Sequence, residues 1–112
     1  MLPTRQTVEL DHVPSRPRRF VFVLLPEFTM LCFSAAVESL RIANRMANRR
    51  LYDWTIIGEG GEEITCSAGV SFRVDSDLIE LARDDVALLC GGIDVQKATT
   101  KRVINWLRRE AR

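Results

Sequence analysis

Cys90-Gly91-Gly92 closes the apolar run Asp85-Val86-Ala87-Leu88-Leu89-Cys90, and it is the first place in the chain where chemistry could sit. A Gly-Gly turn at the carboxyl end of a strand can present its N–H groups to an anion or an oxyanion. It can equally be a tight turn that needs a positive φ. A cysteine at that position becomes a nucleophile only beside a cation or a helix N-terminus. Otherwise it is a small buried hydrophobe. A second group follows the apolar run Phe20 to Pro26. Glu27 offers a carboxylate, Thr29 a hydroxyl, and Phe28 and Phe33 aromatic rings. Glu38, Arg41 and Asn44 then recur at i, i+3 and i+6 of a helical pattern. They could carry a carboxylate to a cleft, or form an ordinary surface pair.

Other chemistries find no residues to run on. Cys32, Cys66 and Cys90 lack a C-x-x-C spacing, and the single histidine, His12, lies far up the chain. A zinc site and a Cys–His catalytic pair are therefore not expected. Gly58-x-Gly60-Gly61 lacks the strand-to-helix context of a dinucleotide fingerprint, and there is no Gly-Lys-Ser/Thr. There is no Gly-x-Ser-x-Gly elbow. No catalytic residue, cofactor or metal is expected.

These groups need elements to hold them. The chain has 112 residues, 46% hydrophobic and 28% charged, which suits one small globular domain. No apolar run approaches the roughly 18–20 residues of a membrane span. Residues 1–18 hold Pro3, Pro14 and Pro17 and no apolar stretch, so they read as a flexible leader rather than a signal peptide. A cytoplasmic location is expected by default, and three cysteines, an odd number, fit it. The net charge of +1 is unevenly spread. Asp53 to Asp85 holds nine acids, and Lys97 to Arg112 holds six bases. A basic helix can grip phosphate, but a solvated helix face explains this one as well.

The run Arg18 to Pro26 reads as a strand buried on both faces. Thr29 offers an N-cap, and a helix is expected from Met30 to about Asn48. Phe33, Ala36, Val37, Leu40, Ala43 and Ala47 form its main apolar stripe. Ala35, Ile42 and Met46 broaden it, enough to suggest contact with a partner subunit. Tyr52 to Gly58 reads as a second strand. Ile64-Thr65-Cys66 and Val70 to Val74 read as a small hairpin around Gly69. Ser76 or Asp77 is expected to cap a short helix through Leu81 and Ala82. Asp85 to Cys90 is a further buried strand. A last helix is expected from about Thr99, with Val103, Ile104, Leu107 and Ala111 inward. Alternation of this kind implies an α/β fold, a parallel sheet with helices on both faces. Three buried strands make a thin sheet, so the chain reads as the front half of a larger domain.

Phe20 to Leu25, Phe28-Thr29-Met30, Ala36-Val37-Glu38-Ser39-Leu40-Arg41-Ile42-Ala43-Asn44, Leu51-Tyr52-x-Trp54, Leu89-Cys90-Gly91-Gly92 and Trp106-Leu107 together resemble the amino-terminal domain of AraC-family transcriptional regulators. That domain is DJ-1/PfpI-like, also called class I glutamine-amidotransferase-like, and it is flavodoxin-like in fold. The resemblance runs from about residue 19 to the end. It is strongest to the branch that regulates quaternary-amine catabolism (betaine, choline or carnitine). It implies that residues 19–112 are part of a sensory domain. It also implies that the next strand, a cysteine elbow and a carboxy-terminal DNA-binding domain lie outside this truncated chain. DJ-1-like enzymes place an acid near the start of the first helix, whereas Leu31-Cys32-Phe33 holds none.

The expected function is therefore ligand sensing and dimerisation without catalysis. The expected partners are a small-molecule effector, a quaternary amine by the resemblance, and a second copy of the chain. DNA would be met only through the missing carboxy-terminal domain, and no membrane contact is expected. The alternative is a fragment of a DJ-1/PfpI-family enzyme acting on small electrophiles or amides. The flavodoxin-like strand order would bring Glu27, Phe28, Thr29 and Phe33 beside Cys90, Gly91 and Gly92 in one ligand cleft. Phe28 and Phe33 would face a quaternary ammonium group there, or they are simply core.

Overall fold

The structure, a computed structural model, describes residues 16–111. Most of the expected leader, with His12, lies outside the described residues. The element order is β1 (Arg18–Leu24), α1 (Met30–Ala47), β2 (Tyr52–Ile57), β3 (Glu63–Thr65), β4 (Ser71–Arg73), β5 (Val86–Cys90), α2 (Val95–Ala98) and α3 (Lys101–Glu110). β1 is the middle strand of a parallel sheet ordered β2-β1-β5, with Phe22 opposite Ile56 on one side and Leu88 on the other. β3 and β4 form a separate antiparallel hairpin.

The alternation of side chains along β1 builds two cores. Phe22 and Leu24 point to one face, with Phe28, Phe33, Ile64, Cys66 and Val74. Val21, Val23 and Leu25 point to the other, with Ile57, Val103 and Trp106. Both faces of one strand are covered, as its unbroken apolar run requires. α1 and the hairpin cover the first face, and α3 covers the second. This is the α/β arrangement with helices on both sides of a parallel sheet. The adjacency of β2, β1 and β5 matches the first three parallel strands of the flavodoxin-like order.

α1 follows its pattern closely. Phe33 is buried, and Ala36, Val37, Leu40, Ala43 and Ala47 are partly so. Asn48 in the left-handed conformation ends the helix, its N–H bonded to the Arg45 carbonyl. Asn44 stitches the helix to the next strand. Its Oδ1 accepts from the N–H groups of Leu51 (2.9 Å) and Tyr52 (3.0 Å), and its Nδ2 donates to the Tyr52 carbonyl. Asn44 is thus occupied in structure rather than turned to a cleft. Glu38 and Arg41 form the surface pair.

Two expected features differ. No helix forms over 76–82. The Asp77 carboxylate accepts from the N–H groups of Leu78 (2.7 Å) and Gly60 (3.1 Å) and from the Arg102 guanidinium (3.0 Å). A carboxylate committed to a glycine turn and to α3 is not free to cap a helix there. The last helix forms as expected, from Lys101 to Glu110 with Thr100 capping it by accepting from the Val103 N–H, but the expected inward residues Ile104 and Ala111 are exposed. Its inward side is Val103 and Trp106, with Leu107 partly buried.

Asp77 also yields an acid-sensitivity prediction. The Arg102 guanidinium, then the Leu78 N–H, hold its pKa down from 3.8 to about 2. A carboxylate with a depressed folded-state pKa stabilises the fold above its unfolded value and loses that contribution as pH falls through the folded value. Asp77 is 41% exposed, so solvent screening limits the effect to about 1 kcal/mol. Urea melts should show the parent losing about that much between pH 4 and pH 2, in excess of Asp77→Asn. Equal losses would show that the pair contributes nothing.

Candidate functional site

The expected site lies where β1 and β5 end side by side. Leu24 is the last residue of β1 and pairs with Cys90, the last residue of β5. The two following loops are tied together by backbone. The Leu25 N–H donates to the Cys90 carbonyl at 3.0 Å, and the Thr29 N–H to the Gly91 carbonyl at 3.0 Å. A Cβ at Gly92 would collide with the Glu27 carbonyl oxygen, so a side chain there would force the loops apart. The hairpin holds the other side. Glu27 N–H donates to the Thr65 carbonyl (2.8 Å), and Ser67 N–H to the Phe28 carbonyl (2.9 Å). Glu27 itself has φ +65, a left-handed conformation that costs a non-glycine residue about 1 kcal/mol and that these bonds maintain.

The structure thus brings Glu27, Thr29, Cys90, Gly91 and Gly92 to one edge. Glu27 is exposed, and Thr29, Gly91 and Gly92 are partly exposed. α1 begins at this edge. Thr29 is its N-cap, but its side chain makes no capping bond, and the first turn holds no acid. The first N–H groups of a helix have no partner within the helix. Here no side-chain cap takes their place, which leaves a locally positive helix end.

Phe28 and Phe33 sit differently. Phe28 is fully buried and Phe33 nearly so. Their rings meet edge to face at 5.9 Å, and both meet Phe72, at 5.4 and 5.7 Å. Phe33 also packs on Phe22. These rings are core, with no face turned to the edge.

Cys90 is half-buried. Burial, with a smaller contribution from the Cys32 thiol, pushes its pKa up to about 11. Such a thiol is protonated at neutral pH and is a poor nucleophile. Among the described residues, no group of three or more His, Cys, Asp or Glu side chains could hold a metal ion. No described helix is long and apolar enough to cross a membrane.

Two shallow cavities lie on the α3 side instead. One, of about 540 Å³, is lined by Leu78, Arg102, Asn105, Trp106 and Arg109. The other, of about 660 Å³, lies between Leu81, Asp85, Ala87 and the end of α3. Neither reaches Glu27 to Thr29 or Cys90 to Gly92. The two loops meet at a closed junction, because the backbone contacts at Gly91 and Gly92 fill the space between them. What sequence reasoning missed is Asn44 as the clasp of β2 and Trp106 as a core residue. An asparagine just before the end of a helix and four residues ahead of the Asn48-Arg49 turn was the available signal for the first.

No family model matches the chain. Among curated proteins it is 31% identical over 96 residues to the HTH-type transcriptional regulator GbdR of Pseudomonas aeruginosa, covering 86% of this chain and 26% of GbdR. It is 36% identical over 90 residues to the HTH-type transcriptional regulator CdhR of the same species, covering 80% of this chain and 26% of CdhR. The chain therefore spans about a quarter of the length of these curated relatives. Its fold matches the crystal structure of an AraC family transcriptional regulator from Pseudomonas putida with a TM-score of 0.67. That match has 23% identity and covers 85% of this chain and 61% of the solved one. The chain is thus similar in sequence to HTH-type transcriptional regulators, over a stretch equal to about a quarter of the length of GbdR and CdhR, and similar in fold to an AraC family regulator.

Proposed function

We propose that this chain is the ligand-sensing and dimerising portion of an AraC-type transcriptional regulator, and that its effector is a quaternary amine. Residues 19–112 are then part of a DJ-1/PfpI-like sensory domain. DNA contact belongs to a helix-turn-helix part of the protein that these residues do not include. The protein acts by binding and not by catalysis. A first helical turn without an acid supports that reading over DJ-1-type hydrolase chemistry.

The observation that carries the site is the edge where the Glu27–Thr29 and Cys90–Gly92 loops are bonded to each other beneath the uncapped start of α1. A carboxylate is favoured at a helix N-terminus. A quaternary ammonium on the same ligand needs a partner a few ångströms away, and the exposed Glu27 supplies a negative charge there. Phe28 and Phe33 support the site from beneath and do not touch the ligand.

Calorimetric titration of the protein with glycine betaine, carnitine and choline tests this. Betaine and carnitine carry a carboxylate and should bind more tightly than choline. Gly92→Ala, which forces its new Cβ onto the Glu27 carbonyl, should weaken binding at least about tenfold, since misplacing a site by even an ångström is costly. Undiminished binding by Gly92→Ala would remove the site from this edge. Failure of all three ligands to bind the parent would end the quaternary-amine assignment.

A further inference from the structure

We propose that Cys32 and Cys90 are a reversible redox pair, in which a hydroperoxide oxidises Cys32 and Cys90 then closes an intramolecular disulfide with it. This stands independently of the ligand and the dimer proposed above.

The fold brings these two thiols together from distant parts of the chain. Leu88 and Cys90 alternate onto the sheet face that α1 covers, where both pack against the core of Phe22, Leu24, Phe28 and Phe33. The Cys90 side chain therefore points to the helix side of the sheet. The start of α1 is pinned beside it. The Leu25 N–H donates to the Cys90 carbonyl and the Thr29 N–H to the Gly91 carbonyl, each at 3.0 Å. Cys32 stands one helical turn beyond Thr29, and residues three apart on a helix have Cβ atoms about 5–6 Å from each other. Phe33, the next residue, is buried in the core that Cys90 borders. The Cys32 thiol is near enough to add to the effect of burial in raising the Cys90 pKa. The third free thiol, Cys66, is sealed in the same core at 1% exposure.

Exposure sets the order of the steps. Cys32 is exposed and Cys90 half-buried, so a small oxidant meets Cys32 first. The Cys32 thiolate sulfur attacks one oxygen of hydrogen peroxide. The S–O bond forms, the O–O bond breaks and hydroxide leaves, which gives a sulfenic acid. The Cys90 sulfur then attacks the Cys32 sulfur. The S–S bond forms, the S–O bond breaks, and the hydroxyl group leaves with the Cys90 proton as water. Two thiols have then given two electrons to one peroxide. Cys90 is protonated at neutral pH and attacks molecules in solution slowly. Against a sulfenic acid held beside it the attack is intramolecular, which offsets that handicap. A bond of about 2.0 Å requires the two sulfurs to close on each other. The first turn of α1 has no side-chain cap, so it is the part with least to hold it back. The disulfide fastens the start of α1 to the end of β5 across the Thr29–Gly91 hydrogen bond, and a thiol reductant releases it.

Peptide mapping of the oxidised chain decides it. Hydrogen peroxide in slight molar excess, then alkylation of the remaining thiols under denaturing conditions, should give a monomeric product in which two hydrogens are lost. Cys32 and Cys90 should be joined in it, and Cys66 alkylated. Dithiothreitol should return all three thiols. Cys66→Ser should oxidise as the parent does. Cys90→Ser should form no intramolecular disulfide, and dimedone should trap the sulfenic acid at its Cys32. Cys32→Ser should give neither the disulfide nor a dimedone adduct at Cys90. A parent that stays fully reduced overturns the pairing. So does one whose oxidation ends in a disulfide between two copies, in a sulfinic acid at Cys32, or in a link to Cys66. Should a serine variant lose its native far-UV dichroism, the map of the parent decides alone.

Discussion

Trp106→Ala is expected to lower stability by about 3–5 kcal/mol. The Trp106 side chain is 1% exposed and packs with Val21, Val23, Leu25, Ile57 and Val103. Its Nε1–H donates to the Ile79 carbonyl at 2.6 Å. Alanine would leave a cavity the size of an indole and an orphaned carbonyl, and each adds to the loss. A domain of this size holds about 5–15 kcal/mol in all, so the substitution consumes a large share. Trp106→Phe, which keeps most of the volume but no donor, should cost about 1–3 kcal/mol. Urea unfolding followed by far-UV dichroism measures both. A loss below about 1 kcal/mol for alanine would show that α3 is not docked on the sheet.

Phe28→Ala should cost a similar amount, about 3–5 kcal/mol, from the opposite face of the same sheet. Phe28 is fully buried, and its edge-to-face contacts with Phe33 and Phe72 each add about 0.5–1.5 kcal/mol beyond area. The same variant separates two roles for this ring. As a core residue it changes the melt and leaves ligand affinity of the folded protein nearly intact. Unchanged stability with weakened binding of a quaternary amine would make it a ligand face after all.

The elements that could be read in advance were those whose partners are dictated by their own pattern. Val21 to Leu25 is apolar without a break, and only a strand covered on both sides can use such a run. The α1 stripe from Phe33 to Ala47 has one solution at helical spacing. The α3 stripe has two, because Val103 with Ile104 and Leu107, or with Trp106 and Leu107, both satisfy the period. Which one faces inward depends on where the sheet lies, and that is information from 80 residues away, in β1. The segment after Ser76 misleads for a similar reason. Asp77 is a good helix cap locally, but Arg102, 25 residues on, and the Gly60 turn claim its carboxylate. At the candidate site, the adjacency of the two loops follows from strand order alone. The burial of Phe28 does not, because it depends on Phe72 arriving from the hairpin.

The central position of β1 has a consequence for how the chain is made. β1 emerges first during synthesis, yet one of its two neighbours is β5. The Arg19–Asp85 pair that fastens their starts joins residues 66 apart. At ordinary rates of translation, roughly 5–20 residues per second, the strand waits several seconds for its second neighbour. Through that interval Val21 to Leu25 carries a full set of apolar side chains and an unpaired edge, a composition suited to sticking to other nascent chains. The α1 helix, complete after Ala47, can shield the Phe22 face early. The Val23 face meets Ile57, then Leu78, Ile79 and Leu81, and is not closed until Val103 and Trp106 have left the ribosome. Yield in a cell should therefore depend on whatever chaperone occupies that second face in the meantime.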